Sequence, residues 1–286
     1  MTVSSTAPNK TRPAISRPEG FEARPGSIRF TIATLVNDRN QYDALLRSLI
    51  SGGFDGEDCE YLFIDNTVVN EGCGYSGLNA MLNEARGRYV ILCHQDIRLL
   101  TETRSDLDAR LAELETRDPL WALAGNAGGV GPGELAIRIT DPHGANQRAG
   151  NFPALVTSLD ENFIVVKRSA RIGFSVDLKG FHFYGADICL HAAYAGHTAY
   201  VIDFHLAHLS AGQRSEAFED MEEKFRYKWE QAMAPRWIQT TCSLLRLSGG
   251  TLGQIAGRIA DAPYAKIARR LPHARSWLKT GTGWSD

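Results

Sequence analysis

The fold is decided by Tyr89-Val90-Ile91-Leu92-Cys93-His94-Gln95-Asp96-Ile97-Arg98, an apolar run that ends in a polar triplet. A short apolar run of this kind is typical of a strand buried on both faces of a parallel sheet. In open α/β sheets, ligands bind beyond the carboxyl ends of the strands. The triplet therefore places His94 and Asp96 where a ligand would bind. The alternative is that Asp96 caps a turn and that His94 is a hydrogen-bonded histidine at the edge of the sheet.

Two further strands precede this one, and each also ends in a polar pair. The pairs are Asn37-Asp38 and Asp65-Asn66. Alternating strands and helices imply parallel strands joined by right-handed crossovers, so the three polar ends should converge on one cleft. The predicted strands cover residues 28–36, 60–64 and 89–93, and the predicted helices cover residues 41–51, 76–86, 104–117, 186–195 and 215–233.

The composition limits the classes of function. The chain has 286 residues, 43% of them hydrophobic, and a formal net charge of −2, so no general field attracts nucleic acid. Five scattered cysteines without a C-x-x-C pair indicate reduced thiols in a cytosolic compartment. No apolar stretch has the length of a membrane span, and the N-terminus has no secretory pattern. We therefore expect a cytoplasmic enzyme or binding protein.

The glycine-rich run at residues 125–133 has the composition of a dinucleotide-binding loop. That fingerprint requires a helix directly after the glycines, so that the helix N-terminus faces phosphate. Here Pro132 intervenes, and residues 135–139 alternate like a strand. We expect a loop or hairpin over the cleft.

The order of the motifs resembles that of nucleotide-diphospho-sugar glycosyltransferases of the GT-A fold, specifically the large inverting family two and its relatives with an H-Q-D triplet. The resemblance covers about 70% of the chain, from Ile28 to Trp229. It implies a Rossmann-like α/β domain of three layers with a mostly parallel central sheet. The motifs that carry it are TLVNDRNQYDALLRSL, LFIDNT, GLNAMLNEARGRYVILCHQDIRL, FHFYGADICLHAAYAGHTAYVID and HLAHLSAG.

The resemblance also implies a donor site and a metal. Asp96 matches the last Asp of the family's D-x-D triplet, which meets the ribose and a divalent metal, whereas His94 replaces the first Asp and would line the ribose pocket. His208 aligns with the second metal ligand, and His205 is the competing candidate, with polar packing after a strand as the alternative role of either histidine. The metal would be Mn²⁺ or Mg²⁺, of which Mn²⁺ also accepts an imidazole.

Further residues of the donor site follow from the same motifs. Asp38 and Asp65 align with carboxylates that bracket the nucleotide base and ribose. Thr34 and Val36 would form the floor of the pocket. Capping of turns by the two acids is compatible with this role.

The catalytic and acceptor residues follow from the later motifs. Asp187 aligns with the catalytic base, and a helix N-terminus would favour its ionised form. The alternative is that Asp187 is the N-cap of its helix. Asp160 and Glu161 fall where the family contacts the acceptor, and Tyr184 is a candidate for stacking on a sugar.

The C-terminal region changes in composition. Residues 237–286 contain seven basic and two acidic residues, with apolar residues at partly helical spacing. Such a segment could lie on an anionic membrane, and packing on the domain or on a second subunit of a homodimer is the favoured alternative. We predict a disordered tail at residues 1–26, a GT-A domain at 27–234 and a basic helical extension at 235–286.

The sequence thus predicts an inverting, metal-assisted glycosyltransferase at the inner face of the membrane or free in the cytoplasm. It would transfer a sugar from a UDP- or dTDP-linked donor to a hydroxyl of a glycan, lipid-linked or other envelope acceptor. The alternative is a nucleotide-sugar-binding module that has lost transfer activity and serves in an assembly.

Overall fold

The computed structural model describes residues 13–20, 27–212 and 215–259, which contain fifteen strands. The strands are β1 Phe30–Val36, β2 Cys59–Asp65, β3 Tyr89–Cys93, β4 Ile97–Leu99, β5 Trp121–Gly125, β6 Ala127–Gly131, β7 Glu134–Asp141, β8 Gly144–Ala149, β9 Ala154–Val156, β10 Ser158–Leu159, β11 Phe163–Lys167, β12 Thr198–Val201, β13 Leu206–His208, β14 Arg236–Gln239 and β15 Leu244–Leu247. The helices are α1 Arg39–Ser51, α2 Ser76–Glu84, α3 Arg104–Arg117, α4 Tyr184–Tyr194 and α5 Glu216–Met233. Residues 251–259 are also helical.

A central sheet of seven strands has the order β2-β1-β3-β11-β5-β12-β9. β1 pairs in parallel with β2 and β3, and β5 pairs in parallel with β12, whereas β11 and β9 run antiparallel to their neighbours. Five of the seven strands therefore share one direction, which confirms the predicted α/β class with a mostly parallel sheet. The carboxyl ends of β1, β2 and β3 lie at the same edge, as the alternating pattern predicts.

The core forms where the central sheet packs on its helices. In α1, the residues Tyr42, Leu45, Leu46 and Leu49 are buried, as the helical spacing predicts. Gly52 ends the helix, and its N–H bonds to the carbonyl oxygens of the last turn. α3 covers Arg104–Arg117, which are the predicted bounds, and it buries one leucine in each turn.

A second sheet has the order β10-β6-β7-β13-β4, and β8 also pairs with β7 outside this order. The glycine-rich run supplies β6, which pairs with β7 as an antiparallel hairpin, so the expectation of a hairpin is confirmed. β13 runs antiparallel to β4 and parallel to β7. This sheet was not evident in the sequence, because its strands are short and polar on one side.

A buried ion pair joins β1, β2 and the turn before β3. Glu60 is 1% exposed, and its Oε1 accepts hydrogen bonds from Thr31 Oγ1 and from the backbone N–H of Arg86, both at 2.6 Å. Its Oε2 accepts from Arg86 Nε at 2.7 Å. Burial alone would raise the pKa of Glu60, but these hydrogen bonds and the charge of Arg86 lower it overall.

The chain forms two compact units, Met1–Met221 and Glu222–Asp286, whereas the sequence predicts a boundary between residues 234 and 235. In the first unit, the backbone of Ser16 pairs with that of Phe63 at the edge of β2. This contact orders residues 13–20 of the predicted tail, and residues 1–12 and 21–26 lie outside the described residues.

The second unit contains a hairpin ahead of its helical segment. β14 and β15 pair antiparallel, and Thr240 Oγ1 accepts hydrogen bonds from the N–H groups of Cys242 and Ser243 in the connecting turn. The predicted extension therefore begins as a hairpin, since this turn and Gly249-Gly250 interrupt a continuous helix. Residues 260–286 lie outside the described residues. Within the described ranges, we find no helix with both the length and the apolar character that a membrane crossing requires.

Candidate active site

The ends of β1 and β3 are held side by side by Gln95, the middle residue of the polar triplet. Gln95 Oε1 accepts hydrogen bonds from the backbone N–H groups of Asn37 at 2.9 Å and Asp38 at 3.0 Å. Gln95 Nε2 donates to Asn37 Oδ1. Sequence reasoning missed this role, because an amide between two better ligands has no pattern of its own.

Beyond β3, three metal-ligating side chains form a cluster: His94, Asp96 and His208. One ligand atom from each lies within 4.8 Å of the others. His208 Nε2 is 3.2 Å from His94 Nδ1 and 3.5 Å from Asp96 Oδ1. All three side chains are partly buried. The structure thus brings together the two residues predicted as metal ligands and adds His94, which was predicted to line a ribose pocket.

His208 reaches the cluster through the pairing of β13 with β4. In that register His208 lies opposite Ile97, and the N–H of Leu209 donates to the carbonyl oxygen of Asp96 at 3.1 Å. Ser210 Oγ adds a contact of 3.1 Å to His208 Nε2. A residue more than 100 positions away in the chain is therefore fixed beside Asp96 by backbone hydrogen bonds.

Tyr184 lies behind His94 and sets the orientation of its ring. The hydroxyl of Tyr184 is 2.8 Å from His94 Nε2 and donates to the carbonyl oxygen of Glu161 at 3.1 Å. In the tautomer of His94 that carries its proton on Nε2, this N–H donates to the hydroxyl of Tyr184. The lone pair of His94 is then on Nδ1, which faces His208. Tyr184 is 4% exposed, so the predicted stacking on a sugar would need its ring to be uncovered.

The electrostatics of the cluster favour a neutral imidazole beside an ionised carboxylate. Burial and the neighbouring His208 lower the pKa of His94. Burial opposes ionisation of Asp96, but the hydrogen bond and charge of His208 lower its pKa strongly overall. For His208, burial lowers the pKa, but Asp96 raises it overall. Asp96 is therefore an anion at neutral pH.

Glu161 and Asp160, the predicted acceptor residues, follow β10 near Tyr184. Burial raises the pKa of Glu161 to about 8, although the N–H of Gly185 donates to its Oε1 at 3.3 Å. Its side chain therefore exchanges a proton close to neutral pH. Asp160 is exposed, and its Oδ1 accepts from the N–H of Asn162 at 3.0 Å.

Asp187, the predicted base, is fully buried in the first turn of α4. Ser175 donates to both of its oxygens, from N–H to Oδ2 at 2.8 Å and from Oγ to Oδ1 at 2.6 Å. His191 Nε2 lies 3.7 Å from Oδ2. Asp187 is not the N-cap of the helix, because α4 begins at Tyr184, earlier than predicted.

The two carboxylates predicted to bracket the nucleotide both stabilise turns. Asp38 is the N-cap of α1 and accepts from the N–H groups of Asn40 at 2.8 Å and Gln41 at 3.2 Å. Asp65 Oδ1 accepts from the N–H of Thr67 at 3.0 Å, and its Oδ2 pairs with Arg39. Both acids are partly or fully exposed at the strand ends, so capping leaves each with free oxygen lone pairs.

The predicted pocket floor is placed differently. Thr34 and Val36 are both 0% exposed. Thr34 Oγ1 contacts Cys93 Sγ at 3.5 Å, and Val36 belongs to the hydrophobic core together with Phe30 and Ile32. Residues on both faces of β1 are buried, including Thr31 and Ala33 on the face opposite to Thr34 and Val36. Neither side chain lines an open cleft.

His205, the competing metal ligand, lies apart from the cluster. Its Nε2 is 2.9 Å from Thr140 Oγ1, and its side chain is 7% exposed. Burial and the nearby Arg138 lower its pKa. The alternative of polar packing is therefore the one observed for His205, and His208 is the histidine that meets Asp96.

Comparison with known proteins identifies a relative in Fuscovulum blasticum. The chain is 36% identical over 230 residues to "ATP synthase subunits region ORF 6" of that organism, covering 78% of this chain and 92% of the relative. The chain belongs to the ORF 6 family. No established family model matches the chain.

Solved structures with some similarity to this ORF 6 family member share little sequence with it. S. aureus TarS 1–349 in complex with UDP-GlcNAc matches with TM-score 0.47 and 16% identity over 70% of this chain and 65% of that one. GalNAc-T7 with UDP, GalNAc and Mn²⁺ matches with a TM-score of 0.44 and 9% identity, over 68% of this chain and 46% of that chain. The mannosyltransferase PcManGT from Pyrobaculum calidifontis, in complex with GDP-Man and Mn²⁺, matches with a TM-score of 0.42 and 13% identity. The match covers 76% of this chain and 64% of that chain. This chain therefore spans less than two thirds of each of those chains.

In this member of the ORF 6 family, the donor set of the cluster fits a divalent transition metal. Two imidazoles and one carboxylate suit first-row ions such as Fe²⁺ and Zn²⁺ and are also accepted by Mn²⁺, whereas Mg²⁺ prefers oxygen ligands alone. In the tautomer with the proton on Nε2, which would donate to Tyr184, Nδ1 of His94 would carry the lone pair that a ligand needs. The residues present therefore fit Mn²⁺ better than Mg²⁺.

Proposed function

We propose that this protein is an inverting, metal-assisted glycosyltransferase. It would transfer a sugar from a UDP- or dTDP-linked donor to a hydroxyl of a glycan or envelope acceptor. The observation that carries the proposal is the cluster of His94, Asp96 and His208 at the carboxyl ends of the parallel strands, where α/β proteins bind nucleotides. The order of the sequence motifs supplies the choice of reaction.

The chemistry of sugar transfer gives the cluster a task. Breaking the bond between the sugar and the diphosphate builds negative charge on the leaving phosphate, and a divalent metal at this site would supply Lewis-acid stabilisation of that charge. Asp96 and His94 would hold Mn²⁺ together with His208. Asp38 and Asp65, at the neighbouring strand ends, would bind the base and ribose.

The proton of the acceptor hydroxyl needs a base, and Asp187 is the proposed one. In the structure both of its oxygens accept from Ser175 and the side chain is 0% exposed, so the acceptor hydroxyl would reach Asp187 only after the side chain is uncovered. Glu161 is the competing assignment, because it lies beside Tyr184 and exchanges a proton near neutral pH. Asp160 and Tyr184 would then complete the acceptor side.

Donor turnover in the presence of Mn²⁺ tests the proposal. We would measure release of UDP or dTDP from a panel of nucleotide sugars with wild type, Asp96→Asn, Asp187→Asn and Glu161→Gln. Asp55→Asn, at an exposed residue of the α1–β2 connection, is the control for loss of one carboxylate. Loss of kcat in Asp187→Asn, with the KM for donor retained, supports Asp187 as base. Full turnover by Asp187→Asn together with inactivity of Glu161→Gln transfers the role to Glu161.

One observation favours the alternative of an inactive binding module. Asp187 is fully buried with both oxygens engaged, which suits a structural carboxylate. The module predicts tight binding of a nucleotide sugar without turnover by wild type for any acceptor tested. Turnover by wild type that Asp96→Asn abolishes would exclude it.

For cellular location we infer a cytoplasmic protein that contacts an anionic membrane through its C-terminal segment. Leu252, Ile255 and Ile259 are 85%, 51% and 72% exposed and recur at helical spacing. The segment is basic, which matches anionic lipid headgroups. Sedimentation with phosphatidylglycerol vesicles should fall when Leu252 and Ile255 are changed to Ser. Unchanged sedimentation, with a concentration-dependent dimer lost in the same variant, would assign the surface to a second copy.

A further inference from the structure

A cavity of about 910 Å³ lies at the opposite end of the central sheet from the cluster of His94, Asp96 and His208. Its walls include Ile28, just before β1, and Arg88, just before β3. Lys167, at the end of the antiparallel β11, pairs with Tyr89 at the start of β3. At about 3.3 Å per residue, β3 separates Arg88 from His94 by roughly 20 Å. The cavity is therefore distinct from the proposed donor site.

The cavity is lined by basic residues and by no acidic residue of the described chain. Its polar lining also includes Asn79, Asn83 and Ser169. Two acidic residues that do not line the cavity, Glu60 and Glu115, form ion pairs with three of the basic residues. The basic residues are Arg86, Arg88, Lys167, Arg168 and Arg171. Five positive charges set against two negative ones leave an excess of positive charge facing the cavity.

Three of the basic side chains are fixed in place by these acids. Arg86 is held by the buried Glu60, with Nε 2.7 Å from Oε2. Glu115 accepts from Arg88 at 2.9 Å and from Lys167 at 2.7 Å. Because these ion pairs tie down the side chains, little rotamer entropy is lost when a ligand binds them.

Arg168 and Arg171 differ, since neither has an acidic partner within 4 Å among the described residues. Arg168 Nε donates to the carbonyl oxygen of Gly87 at 2.8 Å, which leaves its terminal N–H groups available. Arg171 has φ 54° and ψ 42°, a left-handed conformation that is unusual for a residue with a long side chain. Its N–H bonds to the carbonyl oxygen of Arg168 at 3.2 Å. Both residues are exposed, and this turn therefore places two guanidinium groups without an acidic partner among the described residues on one wall of the cavity.

We propose that this cavity is a binding site for a phosphoryl anion, separate from the donor site. Guanidinium groups form paired hydrogen bonds with phosphate oxygens, and the partly enclosed walls strengthen their field. The volume is within the range of small-molecule pockets and exceeds that of a single phosphate. The ligand class is therefore a phosphate or diphosphate attached to a larger group, either a free small molecule or a lipid headgroup.

The test uses the full chain and inorganic pyrophosphate as the probe, with binding measured by titration calorimetry at low and high salt. The variant is Arg168→Gln/Arg171→Asn, chosen because Asn tolerates the left-handed conformation at position 171. Arg226→Gln, on the exposed face of α5, is the control for loss of one positive charge. We expect the variant to bind pyrophosphate at least about tenfold more weakly and the control to match wild type.

Two further measurements separate the sites and the sources of the phosphate. If Asp96→Asn binds pyrophosphate as wild type does in the absence of metal, the probe occupies the new site. Loss of binding in Asp96→Asn alone overturns the proposal. Equal binding by wild type and by the double variant overturns it as well. Sedimentation with phosphatidylglycerol vesicles that falls in the double variant indicates a headgroup, and unchanged sedimentation with weakened pyrophosphate binding indicates a free phosphate ester. If the double variant melts more than about 5 °C below wild type, Arg171→Asn alone is titrated under the same criteria.

Discussion

Replacing Tyr184 with Phe removes one oxygen atom and leaves the ring that packs against Tyr75 and Phe174. Two hydrogen bonds are lost, one of 2.8 Å with His94 Nε2 and one of 3.1 Å to the carbonyl oxygen of Glu161. The His94 ring is then free to rotate or to change its tautomer, so that Nδ1 no longer presents its lone pair to the cluster.

Loss of a partner that orients a metal-ligating histidine typically lowers metal affinity by about 10–100-fold. That range equals about 1.4–2.8 kcal/mol of binding free energy. We therefore expect Tyr184→Phe to raise the Kd for Mn²⁺ by that factor. The assay is titration of the apoprotein with Mn²⁺, followed by the signal of free Mn²⁺ in electron paramagnetic resonance.

Tyr75→Phe is the matched control, because it makes the same chemical change in a neighbouring ring. Tyr75 donates one hydrogen bond of 2.8 Å to the carbonyl oxygen of His182 and has no contact with the cluster. The Tyr75→Phe variant should bind Mn²⁺ with the same affinity as wild type. The reasoning is refuted if wild type binds Mn²⁺ and Tyr184→Phe binds it equally well, or if both tyrosine variants weaken binding alike.

Three other outcomes are expected. Asp96→Asn should weaken Mn²⁺ binding by more than the 10–100-fold typical of an outer-shell partner, measured in the same titration. Gly185→Ala would place a Cβ 2.1 Å from a backbone oxygen and should lower the free energy of unfolding by roughly 3 kcal/mol, whereas Gly131→Ala, with open space around it, should be neutral by urea denaturation. Glu60→Gln should cost about 2–4 kcal/mol at pH 7; since the folded-state pKa of Glu60 is lowered, this difference should be complete above the ordinary glutamate pKa of about 4.5 and shrink as the pH falls below it, in melting temperatures recorded against pH. A constant difference down to pH 3 would contradict this account.

The first half of the fold is predictable because its signals are local. The buried strand before His94, the leucine spacing of α1 and the glycines that end it each act within a few residues. The same is true of α3, whose observed bounds agree with the prediction. Such patterns depend on which side chains of a single helix or strand are buried, so they can be recognised without knowledge of the tertiary structure.

The rest depends on pairings between distant segments. The resemblance to a family predicts that His208 meets Asp96, but no local pattern indicates that His208 lies opposite Ile97, since that register is set by two three-residue strands. Thr34 and Val36 lie close to the polar end of β1 and were predicted to form the floor of the pocket. In the structure both side chains are buried in the core. Asp187 shows the same limit, because its engagement by Ser175 arises from a loop that carries no periodic pattern.

The register that sets His208 opposite Ile97 also makes the cluster a junction between the two sheets. A metal bound there would cross-link residues 94 and 208, closing a loop of more than 100 residues. Such a closure forms late in folding, because contacts distant in sequence must wait for the local elements. A bound metal would then stabilise the two sheets in their assembled arrangement. It would add about 2.7 kcal/mol to the free energy of unfolding at a free metal concentration of 100 Kd.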